Sequence, residues 1–176
     1  AALMAYFAGA PVGLIQYLGL TPFQFGIAMA VPMVFYMVSQ IAVARVAHGI
    51  GMDLMIRIGV TMASIAGIGM LVFVLSGNIN VYTLMGPVVL MLTSFAFITP
   101  GTTAGAMSPF AGMAGAASSL LGFIQFLAAA TATAVIGLLN DGTPFPMAAT
   151  ICVCTVCALI AYLVFVRRLP ASAVAG

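Results

Sequence analysis

Few side chains in this sequence can act as acid, base, nucleophile or metal ligand. The acids are Asp53 and Asp141, far apart in the chain. The cations are Arg45, Arg57, Arg167 and Arg168, with no Lys and no Glu, and His48 is the sole histidine. Neighbouring carboxylates for acid–base work are therefore lacking. A Ser/His/Asp arrangement would have to be built on His48, which sits beside Gly49 in the most polar stretch and reads as a loop residue. No Walker-type phosphate loop occurs. Cys152, Cys154 and Cys157 fall inside one apolar run. On a helix Cys154 and Cys157 share a face while Cys152 points elsewhere. These spacings suit neither a shared metal nor a disulfide, so the three read as small core or lipid-facing residues. The expectation is a protein that is not an enzyme and holds no cofactor or metal.

What remains is a set of polar and aromatic residues inside apolar runs. Met33, Tyr36, Met37 and Gln40 recur at i, i+3, i+4 and i+7, one stripe of a helix. Gln125 lies between Phe123 and Phe126 and shares a face with Ser118, Gly122 and Ala129. Tyr6, Ala10, Gly13 and Gln16 or Tyr17 follow one side of the first run, where Pro11 breaks the hydrogen-bond ladder. Phe95, Phe97 and Thr99 precede Pro100-Gly101. A buried amide without a partner costs about 1–3 kcal/mol by protein mutational data, so each amide should face protein or a wet cavity. Methionine and aromatic neighbours make an adaptable apolar surface. Tyr6, Gln16, Met33, Tyr36, Gln40, Phe97, Gln125 and Phe126 are the expected cavity lining. The competing reading is a set of helix–helix contacts with satisfied amides.

The elements that must position these residues follow from composition. Residues of the AVILMFWYC set make up 65% of the 176, and 3% are charged. Six charges cannot coat a water-soluble globule of this size. High hydrophobicity excludes disorder, and a net charge of +2 is too scattered for a nucleic-acid surface. The solvent must be lipid. A bilayer core needs about 20 apolar residues per helix. Dividing at polar and turn signals gives runs over 1–18, 25–44, 55–75, 81 to about 106, 114–139 and 147–166. The stretch GLTPFQF reads as a Gly/Pro turn, SPFAGMAG as an interruption and NDGTPFP as a loop. The runs are continuous rather than alternating, which excludes barrel strands. The expected fold is an all-α integral membrane protein, a six-transmembrane-helix bundle. All four arginines fall on one side of it, in the loop holding Arg45 and Arg57 and in the tail holding Arg167 and Arg168. By the positive-inside rule that side is cytoplasmic, and so are both ends. Tyr17 and Tyr82 lie at the external boundary. The abrupt apolar start, without initiator Met or charged leader, reads as a chain whose N-terminal part is missing.

Three stretches resemble a known family. YFAGAPVGLIQYLGLTPFQFG resembles the seventh helix and following loop of Bcr/CflA-type multidrug resistance transporters of the major facilitator superfamily. ARVAHGIGMDLMIRIG resembles their basic loop between the eighth and ninth helices. MSPFAGMAGAASSLLGFIQF resembles their tenth-to-eleventh connection, where AGxAS leads to LLGxxQ. The pattern departs at Ala10, where the family has Ser, and at Gly112 and Met113, where it has a polar residue. It departs also at His48 and Asp53, where basic residues are common. The resemblance implies that residues 1–176 are the C-terminal half, helices seven to twelve with the first truncated, of a twelve-helix inner (plasma) membrane carrier. It implies proton-coupled efflux of drugs or small metabolites. The partners would be the missing N-terminal six-helix half, which holds the coupling carboxylate, and the lipid bilayer, with a small apolar or amphipathic substrate and protons. This chain would supply one wall of the central cavity. A complete six-span carrier acting as a dimer and a non-transporting scaffold are the alternatives.

Overall fold

The computed structural model describes residues 1–46, 51–77, 79–139 and 141–166; His48, Asn78, Arg167 and Arg168 lie outside them. The described residues are helical with no strand. Helix α1 spans Ala2–Pro11 and continues in π geometry over Val12–Tyr17. Helix α2 spans Pro22–Val46, α3 Met52–Leu75 and α4 Val81–Met107. A 3-10 segment, Ser108–Met113, leads into α5, Ala114–Leu138. Helix α6 spans Phe145–Ala161 and ends in π geometry over Tyr162–Val166.

Among the described residues five helices are long and apolar enough to cross a membrane, within α2 to α6, whereas Ala2–Tyr17 is shorter. The chain is an all-α membrane protein. The π segment begins directly after Pro11, whose ring and missing N–H interrupt the α ladder. The turn beyond it closes on Gly19, at φ +68°, with the Gly19 and Leu20 N–H groups donating to the Ile15 and Leu14 carbonyls.

Helix boundaries differ from the apolar runs where polar residues cap rather than break. Within GLTPFQF, Pro22, Phe23 and Gln24 are already helical. The Thr21 N–H donates to Gln24 Oε1 at 3.0 Å and the Gln24 N–H to Thr21 Oγ1 at 3.3 Å. This is a reciprocal capping box, followed by proline at a first-turn position where its missing N–H does no harm. Asp53 extends α3 backwards from Met55, since a carboxylate in the first turn is favoured by the helix dipole. Among the described residues of NDGTPFP, Asp141 to Pro144 form the turn. The Thr143 N–H and hydroxyl donate to Asp141 Oδ1, at 3.0 and 2.6 Å, and α6 starts at Phe145.

Small residues set the packing. Helix α3 lies against α4 and α6. A Cβ added at Gly59 would meet Ile98 and the Ser94 carbonyl, and one at Gly67 would meet the Thr155 hydroxyl. Between these close approaches the Ser64 hydroxyl donates to the carbonyls of Val60 (3.0 Å) and Thr155 (3.1 Å). Gly9 brings α1 equally close to Met147 of α6. Close backbone approach through small residues is how helices associate where lipid removes the hydrophobic drive. Tyr6, Leu14, Met70, Met91, Leu92 and Ile151 fill the core. Helix α2 packs on α4, and α5 mainly on α1. These two flanking helices leave broad apolar faces open, including Val34, Phe35 and Met37 on α2 and Phe123, Phe126 and Leu127 on α5. Such faces need no polar cover in hydrocarbon.

Candidate functional site

The open side of the bundle is a cleft of about 480 Å³ bordered by α1, α2, α4 and α5. Helix α2 contributes Met33 and Tyr36, and α5 contributes Gln125, Phe126 and Ala129. Helix α4 contributes Phe95, Thr99, Thr102 and Thr103, and α1 contributes Leu3 and Met4. Helix α2 is fixed against α4 by Ser39, whose hydroxyl donates to the Phe35 carbonyl at 2.7 Å and to Thr93 Oγ1 at 3.4 Å. Met33 and Tyr36 border the cleft while also packing against the core that α4 helps to form.

Of the eight residues expected to line a cavity, Met33, Tyr36, Gln125 and Phe126 meet at this cleft. The other four sit elsewhere. Gln40 stands behind Tyr36 and donates from Nε2 to its hydroxyl oxygen at 2.7 Å. Tyr6 is buried in the core, its hydroxyl 3.5 Å from Met29 Sδ. Gln16 is exposed in the π segment at the far end of α1. Phe97 packs against Val43, Met55 and Ala96, on the α2–α3 side of α4. Phe95 takes the cleft position instead, because residues two apart on a helix point roughly 200° from one another. The stripe containing Phe95 and Thr99 continues to Thr102 and Thr103. The sequence carries that signal as a Thr run at i+4, i+7 and i+8 from Phe95.

The hydroxyls of the cleft are partly engaged. Thr99 donates to the Phe95 carbonyl at 2.7 Å, and Thr102 to Ile98 at 2.9 Å. The side chains of Gln125 and Thr103 make no hydrogen bond among the described residues. No ionisable acid, histidine, lysine or arginine lines the cleft. Asp141, in the turn before α6, lies at one end of the bundle, and Arg45 in the last turn of α2, with Asp53 and Arg57 in the opening turns of α3, lies at the other. There Tyr162 of α6 donates to Asp53 Oδ1 at 3.0 Å.

Further hollows lie among the described residues. One of about 490 Å³ lies on the opposite edge of α2, between Gln24, Ile27 and Val31 of α2 and Val81, Tyr82 and Met85 of α4. Another, about 280 Å³ and lined by apolar side chains, lies between the end of α4 and the start of α5. Among the described residues no three His, Cys, Asp or Glu side chains come close enough to hold a metal ion. The cysteines are free. No protein-family model, curated protein or solved structure matches this chain.

Proposed function

We propose that this chain is the C-terminal six-helix half of a proton-coupled efflux carrier for drugs or small metabolites, and that the cleft is its wall of the substrate cavity. The observation that carries the reading is the meeting of Tyr36, Gln125, Phe126 and Met33, from two separate helices, on one open cleft. A concave, mostly apolar surface with a few convergent polar groups is the usual form of a small-molecule site. The three stretches resembling Bcr/CflA-type transporters give the transport class. A second six-helix half, lying across the open flanks of α2 and α5, would supply the facing wall and the proton-carrying carboxylate. Arg45 and Arg57 mark the cytoplasmic side of an inner membrane by the positive-inside rule.

The test is efflux from proteoliposomes under an imposed proton gradient, using the carrier assembled with its second half. Gradient-driven export of a fluorescent drug is expected, with the drug profile altered by Gln125→Leu and Tyr36→Ala at normal insertion. Flux independent of the gradient, or a profile unchanged in both variants, overturns the reading. Impermeant labelling of a cysteine placed at Ser76 or Asp141 should succeed from outside only. Labelling from inside only would reverse the orientation.

A further inference from the structure

Helix α3 keeps one open face, which belongs neither to the cleft nor to the flanks of α2 and α5. Its other faces lie on α4, at Gly59, and on α6, at Ser64 and Gly67. Leu54, Arg57, Thr61, Ile65, Ile68 and Val72 recur at helical spacing along the open face, and all six are exposed. The Thr61 hydroxyl donates back to the Arg57 carbonyl at 2.9 Å, which leaves this face apolar but for one charge. That charge is Arg57. Its side chain makes no ion pair or hydrogen bond among the described residues. Asp53, one turn earlier at i−4, has the spacing of an ion-pair partner, but Tyr162 holds its carboxylate toward α6 at 3.0 Å.

An unpaired guanidinium on a lipid-facing stripe is costly unless an opposite charge meets it. Arg57 stands five residues beyond Met52, where α3 begins. Its Cα–Cβ bond leans back toward that end, so the guanidinium reaches toward the headgroup layer. From Arg57 to Ile68 the helix rises about 16 Å, close to the roughly 15 Å of hydrocarbon in one leaflet. We propose that this face of α3 binds an anionic phospholipid of the leaflet on the arginine side. The phosphate lies on Arg57 and an acyl chain runs along Thr61, Ile65 and Ile68. Charge complementarity chooses the lipid. Among the described residues Arg45 and Arg57 outnumber Asp53 at this end, and the amine of a zwitterionic headgroup would have to compete with Tyr162 for that acid. The site rests on the membrane fold alone and is independent of what the cleft carries.

The chain contains no Trp, so a tryptophan introduced at Ile65 reports on its own lipid neighbours. The intact protein carrying Ile65→Trp is reconstituted in phosphatidylcholine vesicles with a rising share of a second phospholipid whose acyl chains are brominated. Quenching then gives the relative affinity of each lipid for this face. Ile68→Trp, one turn deeper, replaces the reporter if the first variant does not assemble. Brominated phosphatidylglycerol is expected to bind about fivefold better than brominated phosphatidylcholine, and brominated phosphatidylethanolamine no better than phosphatidylcholine. Arg57→Gln should abolish the preference. Arg45→Gln removes the same charge from α2 and should leave most of it. Equal affinity for phosphatidylglycerol and phosphatidylcholine overturns the proposal, as does phosphatidylethanolamine favoured as much as phosphatidylglycerol. A preference lost equally in Arg57→Gln and Arg45→Gln overturns it too, since the attraction is then diffuse rather than seated on this face. So does a tryptophan quenched by none of the brominated lipids, because the face is then covered by protein.

Discussion

Gln40 holds the hydroxyl of Tyr36 from one turn further along α2, at 2.7 Å, so that one of its amide N–H groups is engaged inside its own helix. Its effect on the cleft is indirect: it orients the Tyr36 hydroxyl and leaves that group's proton available. The pair predicts a graded response. Tyr36→Ala removes the cleft-facing ring and should change ligand binding strongly. Gln40→Leu removes only the orienting bond. It should cost about 0.5–1.5 kcal/mol in stability, with a small change in binding. Thermal unfolding and ligand binding on both variants check this, and a larger binding loss in Gln40→Leu than in Tyr36→Ala contradicts it.

Two glycines of α3 make a matched test of the packing. A Cβ at Gly67 would run into the Thr155 hydroxyl and crowd the α6 backbone at Cys152, whereas one at Gly69 meets nothing within 4 Å. Gly67→Ala should therefore destabilise by about 1–3 kcal/mol through overpacking. Gly69→Ala should be neutral or stabilising by up to about 1 kcal/mol, since alanine is the better helix former. Equal effects of the two substitutions, measured by thermal unfolding in the same detergent, would mean that α3 and α6 are not packed along this seam.

The helices themselves were legible because lipid demands long apolar runs, and five such helices stand where the runs lie. Boundaries were legible only in part. Polar residues at 21–24 and 52–54 look like loop in a hydropathy reading, yet Thr21, Gln24 and Asp53 cap or open helices. Which polar residue faces the cleft was harder still. Hydropathy does not separate Phe95 from Phe97 or Gln125 from Gln40, because rotation about the helix axis is set by partners distant in sequence. Ser39 reaching Thr93, and Gly59 admitting Ile98, fix that rotation, and neither pairing has a local signature.

Asp141, exposed in the turn before α6, has its carboxyl held below the ordinary carboxylate range, first by the Thr143 hydroxyl and then by the Thr143 backbone N–H. Both donors favour the ionised form. The sign follows: the contribution to the turn is fully present above the unfolded carboxyl's pKa and is lost as pH falls through the lower, folded value. Thr143→Ala removes the larger donor and should raise the Asp141 pKa toward its ordinary value, as read by carboxyl carbon NMR. An unchanged titration would show that the backbone N–H alone sets it.

At the arginine-bearing end of the bundle, Asp53 of α3 and Tyr162 of α6 are joined at 3.0 Å, although 109 positions separate them in sequence. Tyr162 is buried and stands where α6 passes into π geometry. The chain has two acids, and this one sits in the first turn of α3 with its side chain taken by a tyrosine of another helix. A hydrogen bond to a charged acceptor is worth about 1.5–3 kcal/mol net. Tyr162→Phe keeps the ring packing and removes only the hydroxyl, so it should destabilise by about that amount. Asp53→Asn keeps an acceptor oxygen but not the charge, and should cost less. The decisive measurement is the double variant. If the two residues act through one bond, the double variant should be no less stable than Tyr162→Phe alone, beyond about 0.5 kcal/mol. Additive losses would mean that Tyr162 supports the end of α6 through its other contacts and that Asp53 serves α3 only as a helix-opening carboxylate.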